Sequence, residues 1–183
     1  MSSSQMLSHQ PQFSLIPYRA CYAQSVSQIF HDAIRYIDDD VYSIEQKQAW
    51  SPKPRSTYHW NKRLTRSKAW LVVDEAKIEG GHPKCCGFIN VETHFNNRGY
   101  IDSLYVHPAY QHCGVGHKLY EAMEEWALEQ EYPNLTVDAS LLSKWLFLSH
   151  GFKVQHKSYQ EKLGQIFMGF LMSKTLKLTT VPG

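Results

Sequence analysis

Two glycines with a single residue between them carry the clearest chemical signal in the sequence. Gly114 and Gly116 lie within residues 106–119, after a predicted strand and at the start of a predicted helix. Glycine lets the backbone approach a ligand closely, and the first turn of a helix offers unpaired amide N–H groups at the positive end of its dipole. A loop that wraps onto such a turn forms a nest for a phosphate or pyrophosphate group. Glycines also serve tight turns, so the pair alone leaves both interpretations open.

A carboxylate within an apolar strand is the second feature that could do chemistry. Asp102 lies in the predicted strand 99–106, where burying a charge is costly unless the charge is partnered or used. If no bulge intervenes, period-two alternation predicts that one face of this strand carries Tyr100, Asp102, Leu104 and Val106. Asp102 is therefore either a proton-accepting group or a hydrogen-bonded structural residue.

Hydrophobic periodicity predicts the helices and strands that position these residues. Apolar residues at helical spacing predict helices over residues 20–37, 43–50, 114–130 and 143–150. Runs of strand-forming residues predict strands over 14–19, 69–74, 84–91, 99–106, 135–139, 152–155 and 165–173. The turn sequences EGGHPK and NNRG favour hairpins, so the second, third and fourth strands should form an antiparallel meander. Ser43 and Gln46 fit a capping box at the start of the second helix.

Length and composition argue against several classes of protein. The 183 residues suffice for one domain, which we expect over 13–176, between a flexible N-terminal tail, 1–12, and a C-terminal tail, 177–183. A net charge of +2 without a basic run gives no support to nucleic-acid binding. The longest apolar stretch, residues 166–172, is too short to cross a membrane. The four cysteines lack the spacing of a zinc site, which favours a protein without metal in a reducing cytoplasm.

The residues around the glycine pair resemble a known signature. Gln111-x-x-Gly114-x-Gly116, after a strand that ends Leu-Tyr-Val-His-Pro, resembles the acetyl-coenzyme A signature of the GNAT superfamily of N-acetyltransferases. The predicted order of elements over 13–176 is similar to that family as well. The segment TVDAS at 136–140 and the Gly-Phe pair at 151–152 resemble the YafP-like bacterial branch.

The resemblance implies a fold and a donor site. The fold would be the α/β (α+β) GNAT acyl-CoA N-acyltransferase fold, with a mixed, mostly antiparallel central sheet flanked by helices. Acetyl-coenzyme A would be the donor, its pantetheine arm held along the backbone of 104–106 and its pyrophosphate by amides of 111–117. An oriented amide near Val106 would face the thioester oxygen as it becomes negative. The implied cofactor-binding residues are Leu104, Tyr105, Val106, Gln111, His112, Cys113, Gly114, Val115, Gly116, His117, Ser140 and Lys144.

The resemblance also implies direct transfer of the acetyl group to a primary amine of a small molecule or a protein. The amine must lose a proton to attack, so a base is needed near the thioester. Asp102 is the first candidate base and Asp138 the second. Each also has a structural interpretation, and for Asp138 we favour it, because this side chain could cap the loop at Ser140.

Two positions depart from the family pattern. Phe147 stands where many relatives have a tyrosine that protonates the departing thiolate, and Ser140 stands where asparagine is usual. The general acid is therefore unassigned, with water or Tyr159 as substitutes. The departure at Phe147 supports one alternative, a non-catalytic acyl-CoA-binding regulatory module. A nucleotide-binding domain of repeated strand–helix units is disfavoured by the hairpins of the first half.

The sequence does not identify the amine that accepts the acetyl group. The predicted partners are acetyl-coenzyme A and an amine acceptor, without nucleic acid or membrane, for a monomer or homodimer. The acidic run 38–40 could attract a cationic amine or simply be solvated. His107, His112 and His117 repeat at a spacing that fits no zinc motif. Aromatic residues that either wall the acceptor pocket or pack in the core are Tyr36, Tyr42, Trp50, Tyr58 and Trp60.

Overall fold

The computed structural model describes residues 10–177, which form one seven-stranded sheet with helices on both faces. The strands are β1 Phe13–Pro17, β2 Lys68–Glu79, β3 His82–Val91, β4 Tyr100–Val106, β5 Asn134–Ala139, β6 Lys153–Lys162 and β7 Gln165–Thr175. The helices are α1 Ala23–Arg35, α2 Ile44–Trp50, α3 Thr57–Arg66, α4 Val115–Glu129 and α5 Lys144–Ser149. Short 3₁₀ turns at Ala20–Tyr22 and Pro108–Tyr110 precede α1 and α4.

The sheet is mixed and mostly antiparallel, which confirms the predicted architecture. Its strand order is β1-β2-β3-β4-β5-β7-β6. Within the described residues β4 and β5 are the one parallel pair, and the other neighbouring strands are antiparallel. The predicted meander is β2-β3-β4, and the predicted closing hairpin is β6-β7. The single parallel contact therefore lies in the middle of the sheet.

Two apolar clusters cover opposite faces of this sheet. On one face, Met123 of α4 and Phe147 of α5 pack against strand residues such as Ile101. On the other face, Ile34 of α1 and Trp60 of α3 pack against a second set of strand side chains. Burial of each such side chain stabilises the fold by about 1.5–3 kcal/mol. The faces are called below the α4–α5 face and the α1–α3 face.

Helix α3 is the element that the sequence pattern missed. Its buried residues are Trp60 and Leu64, and its other residues are mostly polar, so the helix offers few apolar positions from which a sequence pattern can be recognised. Ser56 caps the helix, because its side chain accepts a hydrogen bond from the amide of His59 at 3.1 Å. Strand β6 also runs beyond its predicted end at 155, through exposed residues that lack a clear alternation of burial.

The capping box predicted for α2 is confirmed. The Gln46 amide donates to Ser43 Oγ at 3.1 Å, and the Ser43 amide donates to Gln46 Oε1 at 2.9 Å. Residues 1–9 and 178–183, most of the two predicted tails, lie outside the described residues, and the predicted boundaries stay predictions. Between residues 10 and 177 no helix is long and apolar enough to span a membrane.

Candidate functional site

A cleft of about 970 Å³ opens where β4 and β5 part. The two strands pair only at Tyr100 with Thr136 and at Ile101 with Val137, and then diverge. Residues of α1, such as Ile34, line the cleft together with residues of α5, such as Leu146. Because α1 and α5 lie on opposite faces, the cleft passes through the sheet.

Beyond Ile101, the edge of β4 that faces this gap has no neighbouring strand within the described residues. The His107 amide donates to the carbonyl of Cys86 on β3 at 2.8 Å. Successive residues of a strand direct their backbone groups to alternate sides, so Leu104 and Val106 direct theirs away from β3 and into the gap. The Val106 carbonyl accordingly accepts a hydrogen bond from the Gln111 side-chain amide at 3.3 Å. Gln111 thus folds the following loop back onto the strand.

The loop after β4 presents amides at the start of α4. Its backbone takes the left-handed conformation at His112, with φ 60°, and at Gly114, with φ 81°. Lys118 donates its amide to the Gly114 carbonyl at 3.0 Å, which is the first bond of the regular helical pattern. The amides of Val115, Gly116 and His117 come before it and point at the loop. A Cβ on Gly116 would lie 3.0 Å from the Leu146 side chain, so a larger residue here would require that side chain of α5 to shift.

A buried carboxylate anchors the same loop from below. The Tyr110 hydroxyl donates to Asp74 Oδ2 at 3.0 Å, and Asp74 Oδ1 accepts from the amides of Gln12 and Ala76 at 3.0 and 3.1 Å. Burial would raise the pKa of Asp74, but these hydrogen bonds outweigh it and lower that pKa below its ordinary value. Asp74 therefore stays ionised and holds Tyr110, and with it the loop, against β2.

Asp102 faces α3 and not the donor side of the cleft. A register shift between β3 and β4 leaves Asp102 as a bulged residue, so the prediction that it shares a face with Leu104 and Val106 is wrong. Its two carboxylate oxygens accept hydrogen bonds from Arg63 Nε and Nη2, both at 2.6 Å, and Oδ2 also accepts from Asn90 at 3.2 Å. The bidentate bonds raise the pKa of Arg63. Asp102 still lines the cleft, but its hydrogen-bonding capacity is largely used.

Asp138 lies at the mouth of the gap with one oxygen free. Its Oδ2 accepts a hydrogen bond from the Tyr100 hydroxyl at 3.0 Å, and among the described residues Oδ1 has no hydrogen-bond donor. Burial first, and then the Asp138 charge, raise the pKa of Tyr100, so that hydroxyl stays protonated. Asp138 lines both the large cleft and a smaller pocket beside it.

The smaller pocket, called here the side pocket, has aromatic walls. Tyr42, Trp50 and Phe167 contact one another with ring centroids 5.4–5.9 Å apart. Lys162, at the end of β6, completes the lining near Trp50. Of the aromatic residues predicted either as a wall or as core, Tyr42 and Trp50 line the side pocket and Tyr36 lines the large cleft. Trp60 lies in the core, and Tyr58 is exposed and lines neither cavity.

Serine hydroxyls stand where the two cavities meet. Ser140 lines both cavities, and its Oγ lies 3.1 Å from Ser143 Oγ. Phe147 also lines the cleft but is packed against Phe152, and its ring has no proton to give. Tyr159 is 64% exposed and alternates with Ser158, which does line the side pocket, so the structure does not bring Tyr159 to the site.

The structure places most of the residues predicted to bind a cofactor along the cleft. Two predicted residues do not line it: Cys113 is exposed on the loop, and the Lys144 ammonium lies over the Phe170 ring at 3.9 Å. The ten that do are Leu104, Tyr105, Val106, Gln111, His112, Gly114, Val115, Gly116, His117 and Ser140. Arg63 and Lys162 were not foreseen, because no local pattern marks either of them.

One of the three regularly spaced histidines, His107, His112 and His117, makes a hydrogen bond to a fourth histidine. His117 hydrogen-bonds His150 across α4 and α5, with Nδ1 to Nε2 at 2.8 Å. Among the described residues no group of three or more His, Cys, Asp or Glu side chains could hold a metal ion. In the acidic run, Asp39 pairs with Lys47 at 2.5 Å, and Asp38 lines the cleft.

Known proteins share both the sequence pattern and the fold. A model of the Acetyltransferase (GNAT) family matches residues 31–152. The chain is 30% identical over 149 residues to the uncharacterized N-acetyltransferase YafP of Escherichia coli (strain K12), which covers 81% of this chain and 87% of that protein.

Solved structures resemble the chain over almost its whole length. A GCN5-related N-acetyltransferase from Rhodopseudomonas palustris has a TM-score of 0.77 at 27% identity and covers 94% of this chain and 100% of its own. YncA from Salmonella typhimurium, solved with its cofactor acetyl-CoA, has a TM-score of 0.66 at 18% identity, with 94% and 98% covered.

Proposed function

Because the chain belongs to the GNAT family of N-acetyltransferases, we propose that it transfers the acetyl group of acetyl-coenzyme A directly to a primary amine. One observation supports this function most. The gap between β4 and β5 exposes the backbone of Leu104 and Val106 and leads directly to the free amides at the start of α4. Acetyl-coenzyme A has a peptide-like arm that matches the exposed strand backbone, and a pyrophosphate that matches the amides at the start of α4.

The donor would lie along β4 as an added strand. Its pantetheine amides would exchange hydrogen bonds with the backbone of Leu104 and Val106, in the place that a paired β5 would otherwise take. Its pyrophosphate would accept from the amides of Val115, Gly116 and His117, where the dipole of the 15-residue helix α4 also favours negative charge. Gly114 leaves this space open, because nothing lies within 4 Å of a Cβ built there.

The chemical step is an attack by the amine nitrogen on the thioester carbonyl carbon. A C–N bond forms, the carbonyl oxygen becomes negative, and an amide of β4 directed into the gap stabilises it, an effect worth about 2.7–4 kcal/mol in other enzymes. The C–S bond then breaks, and the sulfur leaves as a thiolate that takes up a proton. No covalent intermediate on the chain is required.

We assign the proton-accepting role to Asp138 and a structural role to Asp102. Asp138 has an oxygen without a donor and lies where the large cleft meets the side pocket. Asp102 is bound at both oxygens by Arg63, so a proton there would displace a strong hydrogen bond. Ser140, at the same junction, takes the place of the missing tyrosine as the group that returns a proton to the thiolate.

The second candidate is a non-catalytic acyl-CoA-binding module, which the buried Phe147 supports. We further propose that the protein acts in a bacterial cytoplasm, because all four of its cysteines are free thiols. We also propose that it acts as a monomer or homodimer.

One experiment separates the two candidates. Calorimetry measures acetyl-coenzyme A binding, and thiol release from acetyl-coenzyme A is followed on the same preparation with a panel of primary amines. Binding together with amine-dependent thiol release supports the enzyme. Binding without release from any amine would favour the regulatory module, and the absence of binding would refute both.

A further inference from the structure

Lys162 places a cation in the side pocket without a protein partner. Its Nζ lies 5.2 Å from the centroid of the Trp50 ring and 5.9 Å from that of Phe167, two of the three rings that wall this pocket. The side chain is only partly exposed, so its stem is packed and its ammonium is held at the wall. Among the described residues it makes no ion pair or hydrogen bond.

The charges around Lys162 do not neutralise it. Arg55 and Arg63 are both near enough to oppose its charge, and Asp102 is the carboxylate that favours it. Asp102 is already paired with Arg63 through two bonds of 2.6 Å, so the pair brings little net charge. Burial first, and then Arg55 and Arg63, lower the pKa of Lys162. A partly buried ammonium that the protein does not neutralise is stabilised when a ligand with a negative charge binds next to it.

Asp138 lines the same pocket at a different place. It lies opposite Leu171 in the pairing of β5 with β7, whereas Lys162 lies opposite Gln165, six residues earlier along β7. The side pocket therefore has a carboxylate near the gap and an ammonium toward the tip of the β6-β7 hairpin, with aromatic rings between them.

We propose that the acceptor carries an oxyanion in addition to its amine, and that Lys162 binds this oxyanion. The proposal rests on the proposed acetyl transfer and narrows its acceptor class to small amines with a carboxylate or phosphonate group. Asp138 attracts the amine and repels the oxyanion, so the two charges of the pocket fix the direction in which the acceptor enters. Lys162 lies outside residues 31–152, the part that matches the family model.

The test compares acceptors that differ only in the oxyanion. The matched pairs are L-tryptophan with tryptamine, L-phenylalanine with 2-phenylethylamine, 4-aminobutanoate with propylamine, and 2-aminoethylphosphonate with ethylamine. Thiol release gives kcat/KM for each member with the unchanged chain, with Lys162→Met and with Lys157→Met. Met keeps an unbranched side chain of nearly the same length and removes the charge. Lys157 is the control, because it lies on β6, is exposed and does not line the pocket.

We expect the unchanged chain to prefer the member that carries the oxyanion in at least one pair. Lys162→Met should lower kcat/KM for that member about 10- to 100-fold, mainly through KM, since a hydrogen bond to a charged group is lost. The value for the member that lacks the oxyanion should stay unchanged, and Lys157→Met should alter neither. Whether carboxylate or phosphonate pairs show the effect identifies the oxyanion.

Two other results would contradict the oxyanion proposal. If both members of every pair are acetylated with the same kcat/KM, and Lys162→Met changes both values alike, the oxyanion proposal fails and acetyl transfer stands. If acetyl-coenzyme A binds but no amine of either series releases thiol, both proposals fail together. A thermal melt of each variant checks that a lost activity does not reflect a lost fold.

Discussion

The Tyr100 hydroxyl donates to Asp138 Oδ2 at 3.0 Å, at the level where β4 and β5 stop pairing. This bond joins the two strands at the last point where they are close, and it orients the carboxylate. Because one oxygen is used in the bond, the other is left for the cavity. Asp138 therefore has a structural role through Tyr100, and the predicted cap of the loop at Ser140 is wrong, because the Ser140 amide donates to Ser143 Oγ. The free oxygen of Asp138 suits a base.

Asp138→Asn should lower kcat about 100-fold or more, because general base catalysis typically contributes 10²- to 10⁴-fold. The affinity for acetyl-coenzyme A, measured by calorimetry, should change little. Tyr100→Phe is the control, because it removes the hydrogen bond and keeps the carboxylate, and it should lose much less activity. Full activity of Asp138→Asn would leave this residue with a structural role alone.

Asp102→Asn should act on stability and leave catalysis largely intact. The substitution weakens the bidentate bonds to Arg63, a partly buried pair with Arg63 37% and Asp102 15% exposed at the side chain. We expect the free energy of unfolding, measured with urea, to fall by about 1–3 kcal/mol. Arg63→Met should cause a similar loss. A large fall in kcat with unchanged stability would return the base role to Asp102.

Gly114→Glu should abolish binding of acetyl-coenzyme A, because it places bulk and negative charge beside the amides of α4. Gly164→Glu is a matched control in the β6-β7 turn. Both glycines have φ near +80°, with 81° and 79°, and neither has an atom within 4 Å of a built Cβ, so the backbone strain is alike. If calorimetry finds the same affinity in both variants, the pyrophosphate does not bind at this loop.

Cys113 should report donor binding without any turnover. Cys113 is exposed on the loop, and Cys21, in the 3₁₀ turn before α1, is also exposed. Cys85 and Cys86 are buried, and burial raises the pKa of each thiol to about 12. A thiol reagent should therefore modify Cys113 and Cys21 in the folded protein. Saturating coenzyme A should slow modification of Cys113 and leave Cys21 unaffected, as read by peptide mass spectrometry. Equal rates at Cys113 with and without coenzyme A would contradict the proposed site.

Acid should destabilise the protein through its histidines. Burial lowers the pKa of His59, His107 and His150 below the ordinary value of 6.5, and for His150 the neighbouring His117 lowers it further. The unfolded chain then binds protons first, so the free energy of unfolding should begin to fall as the pH drops through about 6.5. Urea unfolding between pH 7.5 and 5 measures this slope. His150→Gln should make it shallower, and an unchanged slope would exclude His150 as a source.

The features that follow from local sequence could be predicted, and those that depend on distant contacts could not. The capping box of Ser43 and Gln46 and the loop from Gln111 to Gly116 are encoded within a few neighbouring residues. The Arg63–Asp102 pair joins residues 39 apart in sequence, and Arg63 lies on a helix that buries only Trp60 and Leu64. The bulge at Asp102 reversed the expected face, because the register of β3 against β4 is set by the whole meander.

The cleft crosses the sheet, and under the proposed function this would give the two substrates separate entrances. The donor would approach from the α4–α5 face and the acceptor from the α1–α3 face, and they would meet at the gap between β4 and β5. Neither molecule would then block the other, so we expect that a ternary complex can assemble in either order. A single compound that joined coenzyme A covalently to the acceptor amine would have to pass through the gap in the sheet. It would contact the donor-binding and the acceptor-binding residues at the same time.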